Sequence, residues 1–449
     1  MDPQTLARRI AASLRQSGHQ AYLVGGSVRD LLLGRAPKDF DLSTDAPPER
    51  IMELFPNSGQ VGAHFGVVLV RDGGCQVEVA TFRSDRDYAD GRRPSSVRFE
   101  TDPRKDVRRR DFTVNGLLMD PETGAVLDFV GGRADLDRRL LRAIGEPETR
   151  FREDHLRLLR AVRFAAGLGF EIEPATFEAV RRHHALIRTV SAERVRDELV
   201  RILTEGGARR GFELLDATGL LADLLPEVAA LKGVAQPPEF HPEGDVWVHT
   251  LLMLDRLRAA SPTLALGALL HDVGKPPTYR VADRIRFDGH VEEGVRLARG
   301  ILDRLRFSRH DTEQIESLVA HHMRFKDVPR MKQSTLKRFL RLPQFDEHLE
   351  LHRLDCLASH GHLENYERVR RELEELPPEQ LRPKPLVTGD DLIAEGYTPG
   401  PVFSKILAAV EDSQLEGRVA SREEAMEFVR RAFPEEKVKS QKSKVKKQK

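Results

Sequence analysis

Two cysteines, one tryptophan and an aromatic fraction of 6% are scarce for 449 residues, and each scarcity excludes something. Cys75 and Cys356 cannot build a disulfide framework. No apolar run approaches the roughly 18 to 20 residues needed to cross a bilayer. The N-terminus, MDPQTLARRI, lacks the apolar centre of a secretory signal, so a cytoplasmic protein with no membrane partner is expected. With so few aromatics, any nucleic acid would be held by its phosphates and shape rather than by extensive base stacking. An excess of one charge is missing too, with 72 Lys+Arg against 71 Asp+Glu. That balance is uneven along the chain. The last 13 residues, KVKSQKSKVKKQK, hold seven lysines and no acid, and the remainder carries 65 basic and 71 acidic side chains. A mildly acidic body binds a polyanion only through local clusters. Two exist: residues 83–110, with ten basic and six acidic side chains, and residues 138–163, with eight and four.

With 40% hydrophobic and 32% charged residues the composition is globular, and the length allows about three domains. Leu6, Ile10 and Leu14 recur with helical spacing, and Ala21–Val24 reads as a short strand stopped by glycines. Further strands are predicted at Val67–Val70 and Val77–Ala80, with Gly73-Gly74 as the hairpin turn. From about Leu140 the pattern becomes helical, as in LRLLRAVRFAAGLGF and AERVRDELVRIL, the latter with Ser191 as the predicted N-cap. The Pro-rich break QPPEFHPEGD (236–245) is the predicted domain boundary, followed by a second helical block dense in histidine. The lysine tail reads as disordered.

The segment LVGGSVRDLLLGRAPKDFDL places Gly25-Gly26 at a strand end, Arg29 shortly after, and Asp39 and Asp41 around Phe40. Residues i and i+2 of a strand face the same way, so both carboxylates address one point. Such a pair suits Mg²⁺, a hard cation that keeps phosphate and water oxygens among its ligands. The glycines let the backbone approach a triphosphate, and Arg29 can add a bidentate phosphate contact.

Four motifs in order, GGSVRD with DFD, RRDFTVNGLLMD (109–120), EDHLRLLRAVRFAAGLGF (153–170) and SAERVRDEL (191–199), resemble the class II tRNA nucleotidyltransferases and bacterial poly(A) polymerases of the DNA polymerase β superfamily. The resemblance covers about residues 20–230. It implies an α+β fold: a polymerase-β-like nucleotidyltransferase head with a mixed sheet (1–136), a helical neck and body for base selection and tRNA binding (137–236), an α-helical HD domain (237–365), a helical tRNA-binding tail region (366–436) and the disordered lysine tail (437–449). It implies that Gly26 and Arg29 contact the triphosphate, Asp39 and Asp41 hold Mg²⁺, Arg110 contacts the nucleotide and Asp111 reaches the ribose. Glu78 falls where the superfamily has a third carboxylate, although an ion-paired strand glutamate fits it equally. Asp154, Arg157, Arg160 and Arg163, spaced by three, are placed on one helical face, with Asp154 and Arg157 reading the base edge. A carboxylate accepting from the exocyclic amino group of C or A discriminates against G and U. The segment 85–102 resembles the flexible basic loop of CCA- and A-adding members, and VGAHFGVVLV (61–70) the tRNA nucleotidyltransferase pattern. The expected partners are therefore the tRNA 3′ end, CTP and ATP, with CCA addition the leading activity and A-only or poly(A) addition left open.

In residues 248–355 the order His249, His271-Asp272, His290, His321-His322, Asp355 resembles the HD metallophosphohydrolases. Neutral imidazoles with carboxylates suit Mn, Ni, Co, Fe or Zn. The resemblance implies that His249, His271, Asp272 and Asp355 hold one metal, that His290, His321 and His322 serve a second ion or a phosphate, and that Lys275 contacts a phosphate. Phosphatase or phosphodiesterase activity and a metal-stabilised structural domain both fit this pattern.

Overall fold

The computed structural model describes residues 2–60, 66–88, 91 and 94–434. The lysine tail at 437–449 lies outside them, as do parts of the quoted segments 61–70 and 85–102. The first helix, Pro3–Gln16, is capped by Asp2, whose side chain accepts from Thr5 N, and it buries Leu6, Ile10 and Leu14 against the sheet. The sheet strands are β1 (Ala21–Val24), β2 (Asp41–Thr44), β3 (Ser58–Gln60), β4 (Val67–Asp72) and β5 (Cys75–Thr81). The chain then forms β6 (Arg83–Tyr88), β7 (Pro94–Phe99), β8 (Leu117–Met119) and β9 (Val126–Asp128). Seven of these form one mixed sheet in the order β3-β4-β5-β2-β1-β8-β9. The β4–β5 hairpin turns at Gly73 and Gly74, with φ of 56° and 80°, a doubly left-handed turn that side chains other than Gly, Asn and Asp resist.

β2 runs parallel to β5 with Leu42 opposite Val79, which puts Asp41 and Glu78 side by side one step earlier. Phe40 is buried while Asp39 is exposed and Asp41 half-buried, so the alternation expected of the DFD segment holds even though the strand itself begins at Asp41.

Beyond the sheet, among the described residues, the secondary structure is helical apart from three strand pairs. The expected flexible basic loop is, over its described residues, largely a strand pair: β6 and β7 form an antiparallel ribbon in which Arg83 pairs with Phe99. Ser191 precedes the helix Ala192–Thr204 as expected but makes no side-chain capping bond. The Pro-rich segment at 236–245 does not separate two cores. One apolar cluster runs from Leu6 through Phe151, Leu199 and Phe212 to Leu266 and Val319, because Phe164 of the neck packs on Phe112 of the head and neck helices pack on the histidine-rich block. A separate small core, Val387 to Val429, joins the rest through Arg338 and Arg341, whose guanidinium groups bond Glu411 and Asp412.

Gly274, in the turn after His271-Asp272, is required for space rather than for its dihedral angles. A Cβ there would sit 2.1 Å from His290 O and 2.5 Å from Gly294 N, both main-chain atoms of the helix His290–Arg304. Gly274→Ala is expected to force the two segments apart and to cost roughly 1 to 3 kcal/mol, measured as a shift in the urea midpoint at unchanged slope.

Candidate nucleotide cleft and histidine centre

A cleft of about 700 Å³ opens between the sheet and the neck helices. The end of β1 contributes Gly25 and Gly26, the following helix Gly26–Leu32 contributes Arg29, and the approach to β2 contributes Asp39 and Asp41. Arg110 and Asp111 enter from the segment after the helix Pro103–Arg108, and Arg157, Arg160 and Arg163 from the helix Arg157–Leu168. Gly26, Arg29, Asp39, Asp41, Arg110 and Asp111 of the head and Asp154, Arg157, Arg160 and Arg163 of the neck line this one cleft, in which eleven basic side chains face seven acidic ones; Glu78 is not among its lining residues. The surplus suits a polyphosphate.

The arginines are anchored. Arg29 donates to Asn115 Oδ1 at 2.7 Å and to Asp30 at 2.8 Å. Arg110 and Arg109 both bond Asp106, at 3.0 and 2.9 Å, and the hydroxyl of Ser43, two residues beyond Asp41 on β2, donates to the same carboxylate at 3.2 Å. Asp106 is fully buried. Burial alone would raise its pKa, but Arg110 and Arg109 bring it down to about 2. Asp111 behaves alike: burial opposes ionisation, while Arg160, bonded at 2.6 Å, and Asn115 hold its pKa at about 2. Arg163 donates to the buried Glu198 at 2.6 Å. Asp41 is the opposite case. Burial and the neighbouring charges of Glu78 and Asp39 outweigh Arg110 and raise its pKa to about 6, the signature of carboxylates crowded where a cation would relieve them.

The sequence-based face of Asp154, Arg157, Arg160 and Arg163 is corrected in one respect. Asp154 caps the helix Pro147–Glu153 and lies outside the one that carries the arginines. Its carboxylate faces Arg194 at 3.3 Å, while Arg157 bonds Glu153 at 2.8 Å and the main-chain oxygen of Arg109 at 2.9 Å. Asp154 and Arg157 therefore stand together at the cleft wall without forming an ion pair.

In the second constellation His249, His271, Asp272 and His322 are buried and His290 and Asp355 half-buried. His249, His271 and Asp355 offer ligand atoms within 4.8 Å of one another, as do Asp272, His290 and His322. In all four of these histidines Nε2 is buried without a hydrogen-bond partner, although His249 Nε2 lies 3.2 Å from Asp355 and His271 Nε2 3.1 Å from Asp272. Burial keeps His322 neutral, with its pKa lowered to about 4. Four unpartnered imidazole nitrogens among ionised carboxylates form a donor set that fits transition-metal ions. His321 is corrected: its Nδ1 faces Ser317 and its ring packs on His348, away from this set. Lys275 is also spent internally, bonding Asp272 and Gln236, each at 2.7 Å.

Three families match in sequence: the Poly A polymerase head domain over residues 21–142, the probable RNA and SrmB-binding site of polymerase A over 169–232, and the HD domain over 245–355. The CCA-adding enzyme of Streptococcus thermophilus is 33% identical over 430 residues, covering 94% of this chain and 95% of that protein. The chain belongs to the class II CCA-adding enzyme family. Another CCA-adding enzyme, from Geobacillus stearothermophilus, is 46% identical over 215 residues, a match that takes in 48% of this chain and about half (53%) of that protein's length. The crystal structure of the Bacillus stearothermophilus CCA-adding enzyme in complex with CTP superposes with a TM-score of 0.74 at 29% identity, over 97% of this chain and all of that one. The Thermotoga maritima CCA-adding enzyme complexed with tRNA shares the fold, with a TM-score of 0.59 at 20% identity.

Several residues at or behind the two sites of this CCA-adding family member were not evident from the sequence. Asp106 precedes Arg109 and Arg110 by three and four residues, a helical ion-pair spacing that was legible. Arg194 and Glu198 stood within the quoted SAERVRDEL motif. His241 and Glu243, which group with His249, lay in the segment read only as a linker. Asp106 and Asp111 also set an acid limit. Their folded pKa values near 2 lie below the ~3.9 of an unfolded chain, so their stabilisation is complete above about pH 5 and is lost as pH falls through about 2. Melting temperatures between pH 6 and pH 2.5 are expected to fall less steeply for Asp111→Asn than for the parent protein.

Proposed function

We propose that this chain adds CCA to the tRNA 3′ end from CTP and ATP, without a nucleic-acid template, releasing pyrophosphate. The observation that carries the reading is the single cleft that unites a carboxylate pair, Asp39 and Asp41, with anchored arginines and with Asp154 and Arg157. The family's CTP-bound relative supports it. The domain plan is the one expected from the sequence: head 1–136, neck and body 137–236, HD domain 237–365, tail region 366–436 and lysine tail 437–449. Among the described residues no helix is long and apolar enough to cross a membrane, and the proposed setting is the cytoplasm.

In this reading Gly26 lets the triphosphate lie against the backbone, and Arg29 and Arg110 bind its oxygens bidentately. Asp111, pinned by Arg160 and Asn115, meets the ribose. Asp154 accepts the amino proton of cytosine or adenine, competing with Arg194, while Arg157 donates to the ring. Asp39 and Asp41 would hold Mg²⁺, which when bound would supply charge neutralisation at the phosphates and activation of the tRNA 3′-hydroxyl. The arginines hold hydroxyl and α-phosphate in line, so much of the barrier is removed by positioning.

A second activity is favoured by the four unpartnered Nε2 atoms: metal-dependent phosphoester hydrolysis at the HD centre, with His249, His271, Asp272, His290, His322 and Asp355 as the ligands of Mn, Ni, Co, Fe or Zn. His321 is left out of that set.

Three tRNAs ending before CCA, at C and at CC, each offered CTP or ATP, should be extended in the pattern C then C then A. Extension only of the CC-ending substrate would identify an A-adding enzyme, and an unlimited A tail a poly(A) polymerase. Asp39→Ala and Asp41→Ala should each lower incorporation by at least about 10³-fold, a loss of roughly 4 kcal/mol of transition-state stabilisation. Asp154→Ala should retain tRNA binding yet lose discrimination among the four nucleotides, measured as kcat/KM ratios.

A further inference from the structure

We propose that Glu243 is a positioning residue of the HD centre, fixing the ring of His249 so that Nε2 is presented to a divalent ion. The proposal rests on the reading of that centre as a metal site. It concerns a residue outside the segment that matches the HD family, which begins at residue 245.

The four imidazoles are not held alike. His271 Nδ1 donates to Ala268 O at 3.0 Å, His290 Nδ1 to Phe287 O at 2.9 Å and His322 Nδ1 to Val319 O at 2.7 Å. In each case the acceptor is the main-chain oxygen three residues earlier, so the ring orientation is set by the backbone. For His249 the corresponding oxygen belongs to Val246, and it accepts the Thr250 hydroxyl at 2.8 Å. His249 depends on a side chain instead. Glu243 Oε1, arriving from the loop before the helix Val246–Arg256, accepts from His249 Nδ1 at 2.7 Å and from His241 Nδ1 at 2.9 Å. His249 has no exposed side-chain surface and Glu243 only 7%, so no water substitutes easily for this bond.

Two consequences follow from the chemistry. A proton fixed on Nδ1 leaves Nε2 as the coordinating atom, and an anionic acceptor makes the imidazole a stronger donor than a neutral carbonyl does. His249 is thus the one ring of the four whose orientation and basicity a single side-chain substitution can change.

The test uses the full-length protein, stripped of metal and titrated with Co²⁺, whose visible absorption reports ligand geometry. Glu243→Gln is expected to weaken Co²⁺ binding by about 10-fold and Glu243→Ala by up to about 100-fold, with a shifted visible band in both. Circular dichroism of the metal-free proteins and nucleotide incorporation at the head cleft serve as folding controls and should match the parent. Parental affinity and an unchanged band in Glu243→Ala, or in Glu243→Gln should the alanine variant fail to fold, would overturn the proposal. Loss of the metal-free fold in both variants would overturn it in favour of a purely structural role. A parent protein that binds no Co²⁺ would overturn the metal-site reading itself.

Discussion

Buried carboxylates holding arginines are the interaction on which the cleft depends. Eleven basic side chains converge there, and without counter-charges their repulsion would open the site. Asp106, Asp111 and Glu198 are each buried and each bonds one or more of Arg109, Arg110, Arg160 and Arg163. Desolvating an isolated carboxylate is costly, and removing one partner of such a pair costs more than the pair is worth. The benefit lies in geometry: each guanidinium is fixed with donors to spare, ready for phosphate or base without having to be ordered on binding. Ser43 ties the same network to the strand that carries Asp41, so the carboxylate and arginine sides of the cleft share one support.

The helix Ala192–Thr204 extends that support to the rest of the molecule. Arg194, Glu198 and Arg201 take part in the cleft's ion pairs, while Val195, Leu199 and Ile202 enter the shared core. The same helix packs on Pro262–Leu270, the helix that delivers His271 and Asp272. One continuous core therefore positions two sites of different chemistry. In the head a carboxylate is held against ionisation by burial and by the neighbouring charges of Glu78 and Asp39, as the raised pKa of Asp41 shows. In the histidine centre four imidazole Nε2 atoms are left without hydrogen-bond partners.

Much of this was legible in the residues. The periodicities of the first helix and of the β4–β5 hairpin translate directly into structure, because local burial and a Gly-Gly turn suffice to define them. The ten cleft residues of head and neck could be named from motifs, since short segments carry both the residue types and their spacing. Their partners were less visible. The three-residue spacing places Asp154 and Arg157 on one helical face, yet the chain breaks between two helices at Asp154 and redirects its carboxylate to Arg194. The resemblance to the HD metallophosphohydrolases places His321 with His322, but neighbouring residues on a helix point about 100° apart, and of the two only His322 joins the ligand group. His241 and Glu243 were hidden because a proline-rich stretch resembles a linker whatever its side chains later touch.

The sequence by itself determined the element types, the order of the motifs and the chemical character of both sites, because periodicity and residue chemistry are local properties. The tertiary structure alone decided which charge neutralises which, that one apolar core continues from the head across residues 236–245 into the histidine block, and which histidines point inward. Those are decisions of distance and desolvation between segments far apart in the chain, and no spacing along the sequence encodes them.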